Sequence, residues 1–337
     1  MRRVGIIILI AMLLLLLGGY TAAWFIIAGR VEASAAEATE TLRAQNLDLS
    51  WQNLRVAGFP FSFRVELSQA RLRATAVNPP VELRAPLLSA GTHPWGFRVW
   101  QLAAPEGLTV AAAGIEPATS LEAQAMSGSL YAQSDGSAQL WFGLTQPVAA
   151  FGLKASARYA DLWLNLPPHV PQSHIEPAGT VGIVAYALEL PLVPPPLHNP
   201  VDQLGFSGTL MGSFPPGPAQ QAAQAWRDQG GTVELENFAL RWGSLAVDGS
   251  GTLALDSQLQ PTGAFSGSVE GFNDLMNALV AGGQLRGSDA RLAQIALSML
   301  AKPGADGRPQ ISTSFTIQNG QMFLGPAKLG PAPRILW

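Results

Sequence analysis

GFPFSFRVELS, residues 58–68, places Phe59, Phe61, Phe63, Val65 and Leu67 on one side of an alternation and Ser62, Arg64, Glu66 and Ser68 on the other. A period of two is the signature of a β-strand with one apolar face. Pro60 has no N–H to give a ladder, so it marks a strand start or an edge. Short apolar or alternating runs recur at Gln139–Leu144, Leu162–Leu166, Val181–Leu190, Thr232–Leu240, Ser244–Val247, Gly251–Leu255 and Ile311–Ile317. Ser127-Gly128, Asp135-Gly136 and Asn319-Gly320 sit between or beside such runs as expected hairpin turns.

Helical spacing is the minority signal. Phe272, Leu275, Met276, Leu279 and Val280 follow i, i+3, i+4, i+7, i+8 and stop at Gly282-Gly283. Leu292, Ile295, Ala296, Met299 and Leu300 repeat the pattern up to Pro303-Gly304. Each is expected to lay a stripe on a sheet. A third helix is expected from Ala219 to Asp228, and Ser34 to Gln45 reads as a short helix as well. The proline-rich stretch Pro191–Pro200 is the best boundary. The resulting division is 1–30 as an anchor, 31–198 as a β-rich N-terminal half, and 199–337 as a β-rich C-terminal half with two amphipathic helices.

The anchor is the run from Val4 to Gly29, which carries no charge between Arg2-Arg3 and Arg30. A helix needs about 20 apolar residues to cross a hydrocarbon core of roughly 30 Å. Basic residues ahead of the run and glutamates behind it place the N-terminus in the cytoplasm and the bulk across the membrane. The rival reading is a cleaved signal peptide. A signal core is about 7–15 residues long, and here the apolar stretch continues through Trp24, Phe25, Ile26 and Ile27.

Only 13% of the residues are charged, while 35 glycines and 26 prolines punctuate a chain of 337. The net charge of -3 comes without a basic cluster, which removes the electrostatic basis for nucleic-acid binding. There is no cysteine, so neither disulfides nor a thiolate metal site can form. His169 and His174 with Glu176 match no familiar ligand spacing, and neither a phosphate-cradling loop nor a nucleophile elbow is present. No cofactor is expected. Glu234 and Glu236 would share one face of a strand, as a paired-carboxylate hydrolase needs, but opposite Val233 and Leu235 they read as a wet sheet face.

WQNLRVAGFPFSFRVEL (51–67) and ISTSFTIQNGQMFLGPAKLG (311–330) together resemble a family of uncharacterised, single-anchor proteins of Gram-negative bacteria. GTLALDSQLQPTGAFSGSVEGFNDLMNALVAGGQL (251–285) fits that family and is similar to the repeat unit of AsmA-like envelope proteins. The resemblance implies a mainly β, elongated and curled antiparallel sheet with a few short helices after one transmembrane helix. Its concave apolar face would cradle lipid acyl chains. At about 4.8 Å between strands, some 15 strands would extend roughly 70 Å. A closed sandwich would show the same alternation. The residues expected to face lipid are Phe59, Phe61, Phe63, Val65, Leu67, Val233, Leu235, Leu253, Leu255, Phe315 and Ile317. Membrane lipid is thus the expected partner, in lipid handling or envelope maintenance. The alternatives are an assembly factor that binds envelope proteins by strand addition, and an envelope hydrolase.

Overall fold

The structure, a computed structural model, describes residues 2–335 apart from 76–78, 113–118, 194–196, 216, 284, 305–306 and 326. It opens on one unbroken helix, α1 (Arg2–Ala44), which fuses the apolar run and the Ala/Glu-rich segment expected as a separate helix. Part of it, Leu14–Ala44, is long and apolar enough to cross a membrane.

The strands then come in quick succession. They are β1 (Leu47–Ser50), β2 (Asn53–Ala57), β3 (Phe63–Ala74), β4 (Val81–Thr92), β5 (Val99–Ala104), β6 (Leu108–Ala112) and β7 (Thr119–Ala123). Next are β8 (Ala125–Ala132), β9 (Ala138–Thr145), β10 (Val148–Phe151), β11 (Leu153–Ser156), β12 (Tyr159–Leu166), β13 (Pro177–Leu188) and β14 (Val201–Met211). After α2 (Ala219–Asp228) come β15 (Thr232–Trp242), β16 (Leu245–Leu255) and β17 (Pro261–Glu270). The helices α3 (Phe272–Ala281) and α4 (Gly287–Leu300) precede β18 (Lys302–Pro303), β19 (Pro309–Gln318), β20 (Gln321–Leu324) and β21 (Ala327–Pro331). All the strands belong to one antiparallel sheet. β13 and β14 pair along most of their length, so the sheet passes the proline-rich boundary unbroken.

Several short strands are really halves of longer ones. β1 and β2 lie end to end along β3 in a common register. β5 and β6 lie end to end along β4 with the register shifted by one residue between them, and the end-to-end arrangement repeats for β7 with β8, β9 with β10, and β11 with β12. The interruptions fall on one line across the sheet: Gln69, Pro86, Gly107, Gln124, Gln146, Arg158 and Ala187. Gln69, Gln146 and Ala187 adopt positive φ of 52°, 46° and 50°, a conformation that costs a non-glycine residue about 1 kcal/mol, and Pro86 has no N–H to pair.

The crease inverts the side-chain phase. In β3 the more buried residues are Phe63, Val65 and Leu67, then Ala70 and Leu72. Both arms therefore turn their apolar side the same way and pack together. Leu88, Ala104, Met126 and Leu144 from one arm meet Ala85, Leu108, Ala123 and Leu121 from the other in a single cluster.

From β14 to β19 the strands run straight apart from a bulge that leaves Glu236 unopposed. α2 joins the end of β14 to the start of β15, with Trp226 buried and its Nε1–H donating to the Met211 carbonyl at 2.7 Å. α3 and α4 lie at the other strand end, after Glu270.

Several expectations change. The strand begins at Phe63, because Gly58 (φ 102°) and the bond from the Ser62 N–H to the Gly58 carbonyl at 2.9 Å close a turn over residues 58–62. Ser127-Gly128 lies inside β8, while Asp135-Gly136 and Asn319-Gly320 do turn the chain. Ser244 lies in the turn, and the rest of Ser244–Val247 joins Gly251–Leu255 in one strand, β16, that runs straight through Gly249. The α3 stripe is half-buried, but Leu292, Ile295, Met299 and Leu300 of α4 face outward, Met299 at 82% exposure. α4 packs through Ala290 and through Gln294, which reaches Asn273 and Asn277 of α3.

Candidate functional site

Cross-strand partners in a ladder point to the same side of the sheet, so the register traces the apolar face from strand to strand. It passes from Val65 to Ala90, Leu102, Gly128, Phe142, Leu162, Ile183, Phe206 and Phe238. Beyond the bulge it continues as Leu235, Gly251, Phe265, Phe315 and Leu324. Val233, Leu253 and Ile317 form the neighbouring row, with Leu255 next along β16.

Nine of the expected residues thus share one face: Phe63, Val65, Leu67, Val233, Leu235, Leu253, Leu255, Phe315 and Ile317. Phe59 and Phe61 do not. They sit in the turn before β3, exposed by 46% and 68%, and Phe59 packs on Trp24 and Phe25 of α1. Phe63 is on the face but is covered, stacked under Trp24 and closed in by Ala28 and Val56.

The face has two regimes. Between β4 and β13 the folded arms bury it in the cluster around Leu108 and Met126. From β14 to β20 Leu204, Leu235, Phe238, Leu253, Phe265 and Phe315 are only half-buried and Phe206 is 42% exposed. Among the described residues no second sheet lies over it. Glycines on this stretch make room for rings: a Cβ on Gly251 would meet Phe265 Cα and Cδ1, both at 2.6 Å. Phe265 and Phe315 then lie 5.8 Å apart between ring centroids.

The opposite side is polar where the pairs of small residues run, as in Ser250 with Ser266 and Ser266 with Ser314. Glu234 accepts hydrogen bonds from the Thr252 hydroxyl at 2.6 Å and the Thr232 hydroxyl at 3.0 Å, and Glu236 from Thr209 at 2.6 Å. The two carboxylates are therefore engaged in separate threonine pairs on the wet side. Glu176 accepts from the Gln172 N–H and the Ser173 hydroxyl, and among the described residues no group of three His, Asp or Glu side chains is arranged to hold a metal.

A groove of about 790 Å³ follows the crease. Its lining includes Arg71, Arg84 and Arg158 as well as Glu106, Glu122 and Glu189, a balance that favours neither sign of ligand. Arg84 is engaged with Glu82 at 2.8 Å; this bond, with Arg71 and Arg73 nearby, holds the Glu82 carboxyl below its ordinary range against the smaller effect of burial. The crease was not readable in the sequence, because glutamine and arginine carry no turn signal. Its local marks are Pro86 and Gly107.

Comparison with curated proteins and with solved structures returns no match. A family model described as an uncharacterised protein conserved in bacteria matches residues 24–333. That span takes in the sheet from β1 to β21, and the chain belongs to this family, DUF2125.

Proposed function

We propose that this protein is a membrane-anchored envelope protein whose open apolar sheet face binds lipid acyl chains. α1 is the anchor, the N-terminus lies in the cytoplasm, and the sheet stands in the periplasm behind the bacterial inner membrane. The observation that carries the reading is the uncovered face from β14 to β20, where half-exposed phenylalanines and leucines continue from strand to strand. An extended apolar surface of this kind marks a binding site on a soluble domain. Each large apolar side chain it buries against a ligand is worth about 1.5–3 kcal/mol before ordering costs. A curled open sheet with one apolar side is also what the resemblance of residues 251–285 to AsmA-like proteins would imply.

Lipid retained by the full chain tests the proposal. The protein is extracted in mild detergent, exchanged repeatedly into fresh detergent, and its organic extract read by mass spectrometry. Phospholipid in a fixed ratio to protein, above that of an unrelated single-helix membrane protein treated alike, is the expected result. Equal lipid in the two samples would reject it.

A further inference from the structure

The turn 58–62 and the β4–β5 connection 93–98 form one aromatic surface beside the middle of α1, at Tyr20 and Trp24. Phe59, Phe61, Trp95 and Phe97 are exposed by 46%, 68%, 70% and 55%, and Arg98 is the one ionised side chain in the two loops. The loops are joined to each other, since His93 Nδ1 lies 2.9 Å from the Phe61 carbonyl and the His93 ring stacks on Trp95. They are joined to the helix too. Tyr20 Oη donates to the Pro60 carbonyl, and Trp24 Nε1–H donates to the Ser62 carbonyl at 3.2 Å.

The level of these contacts along α1 is informative. Counting from Arg3, about 20 residues at 1.5 Å each traverse the hydrocarbon core, which puts its far boundary near Trp24. Tyrosine and tryptophan are the residues that favour such a boundary, having an apolar ring and a polar handle. The loops held at Tyr20 and Trp24 are therefore at the same depth, and a water-exposed role for four large aromatic rings there has no physical support.

We propose that the two loops insert into the headgroup layer of the membrane that α1 crosses, so that the ends of β3, β4 and β5 stand directly on the bilayer. The occupant of the aromatic surface is lipid, and the contact fixes the first strands of the sheet against the membrane from which acyl chains would be drawn. The inference rests on α1 crossing the membrane, and the test separates the two.

Because the chain has no cysteine, single labels are unambiguous. The variants Leu16→Cys, Phe61→Cys, Phe97→Cys and Phe214→Cys of the full chain, each carrying a nitroxide, are placed in phosphatidylethanolamine–phosphatidylglycerol nanodiscs. Relative accessibility to oxygen and to a water-soluble nickel complex is then read by electron paramagnetic resonance. The labels at 61 and 97 are expected to move toward the lipid-like ratio of 16 and away from the aqueous ratio of 214. Aqueous values at 61 and 97 with a lipid value at 16 would overturn the insertion while leaving the spanning helix intact. An aqueous value at 16 would overturn both. Shielding of 61 and 97 from both reagents would mean a protein partner covers the loops and would equally overturn it.

Discussion

Trp24 of the apolar helix stacks on Phe63 at the start of β3, with ring centroids 5.3 Å apart and planes within 11°. Trp24 and Phe63 are 4% and 6% exposed, so the apolar helix is part of the domain's core. Trp24→Ala should destabilise the sheet by about 3 kcal/mol or more, through lost burial and the lost ring pair. Phe63→Glu should cost several kcal/mol, because a carboxylate there has no water and no partner. Chemical denaturation in detergent, followed by the fluorescence of the remaining tryptophans, checks both. An unchanged midpoint for Phe63→Glu would mean that α1 leaves the sheet in solution.

What the sequence disclosed follows from where the pleat is regular. β9, β12 and β19 kept an uninterrupted alternation or apolar run and were legible, and β15 was legible on either side of its bulge at Glu236. β3 was legible only from Phe63 to Leu67, since the phase inverts at Gln69 and the apolar positions resume at Ala70 and Leu72. Phe59 and Phe61 continue the alternation by coincidence of composition: they serve the helix and the surface beside it. β16 looked like two strands because Asp248-Gly249-Ser250-Gly251 resembles a turn, yet glycine there leaves space for Phe265. Nine of the eleven expected positions thus lie on the apolar face, Phe59 and Phe61 being the exceptions. The division of that face into a closed and an open part was not readable, because that depends on a bend shared by seven strands.

Gly271 begins α3 with φ 75°, and a Cβ there would collide with the Ser244 carbonyl. Gly243 has φ 59° with open space around it. Gly243→Ala should therefore cost about 1 kcal/mol, the left-handed penalty alone, and Gly271→Ala at least about twice that because backbone must move. Equal midpoints of unfolding for the two variants would show that the β17–α3 corner yields readily.

Glu82 has its pKa lowered by the hydrogen bond from Arg84 and the charges of Arg71 and Arg73. A carboxyl whose folded value lies below its unfolded value adds stability above the unfolded value, near 4.5, and that contribution is lost as pH falls through the folded value. Acid unfolding of the wild type should steepen in that window, and Glu82→Gln should flatten it while leaving stability at pH 7 slightly lower. The pair is partly exposed, so 1 M salt should reduce the difference. Parallel acid-titration curves for the two proteins would contradict this.

α3 and α4 make opposite expectations from similar sequence stripes. Leu275 is half-buried, whereas Met299 and Leu292 are exposed by 82% and 69%. Leu275→Asp should lower the melting temperature clearly, because part of the new charge is desolvated against its neighbours. Leu292→Ser and Met299→Ser should change stability by no more than about 0.5 kcal/mol. A large loss from either serine variant would place the α4 stripe against another part of the protein.

Phe142 and Phe206 lie on the same apolar face, three strand pairings apart through Leu162 and Ile183. Phe142 packs against the cluster made by the folded arms, while Phe206 is 42% exposed on the open part. A carboxylate at 142 is forced among Met126, Leu144 and their neighbours, so Phe142→Glu should unfold the domain or cost several kcal/mol, comparable with its whole stability. A carboxylate at 206 keeps water on one side, so Phe206→Glu should fold with a midpoint close to that of the wild type. If the open face carries acyl chains, this second variant should nonetheless lose much of the co-purifying lipid, since a charge in their path must be desolvated or avoided. Thermal unfolding and lipid content measured on the same preparations separate the outcomes. Normal lipid on a folded Phe206→Glu protein would exclude that stretch as the binding wall, and an unfolded Phe206→Glu protein would show the face to be closed there as well.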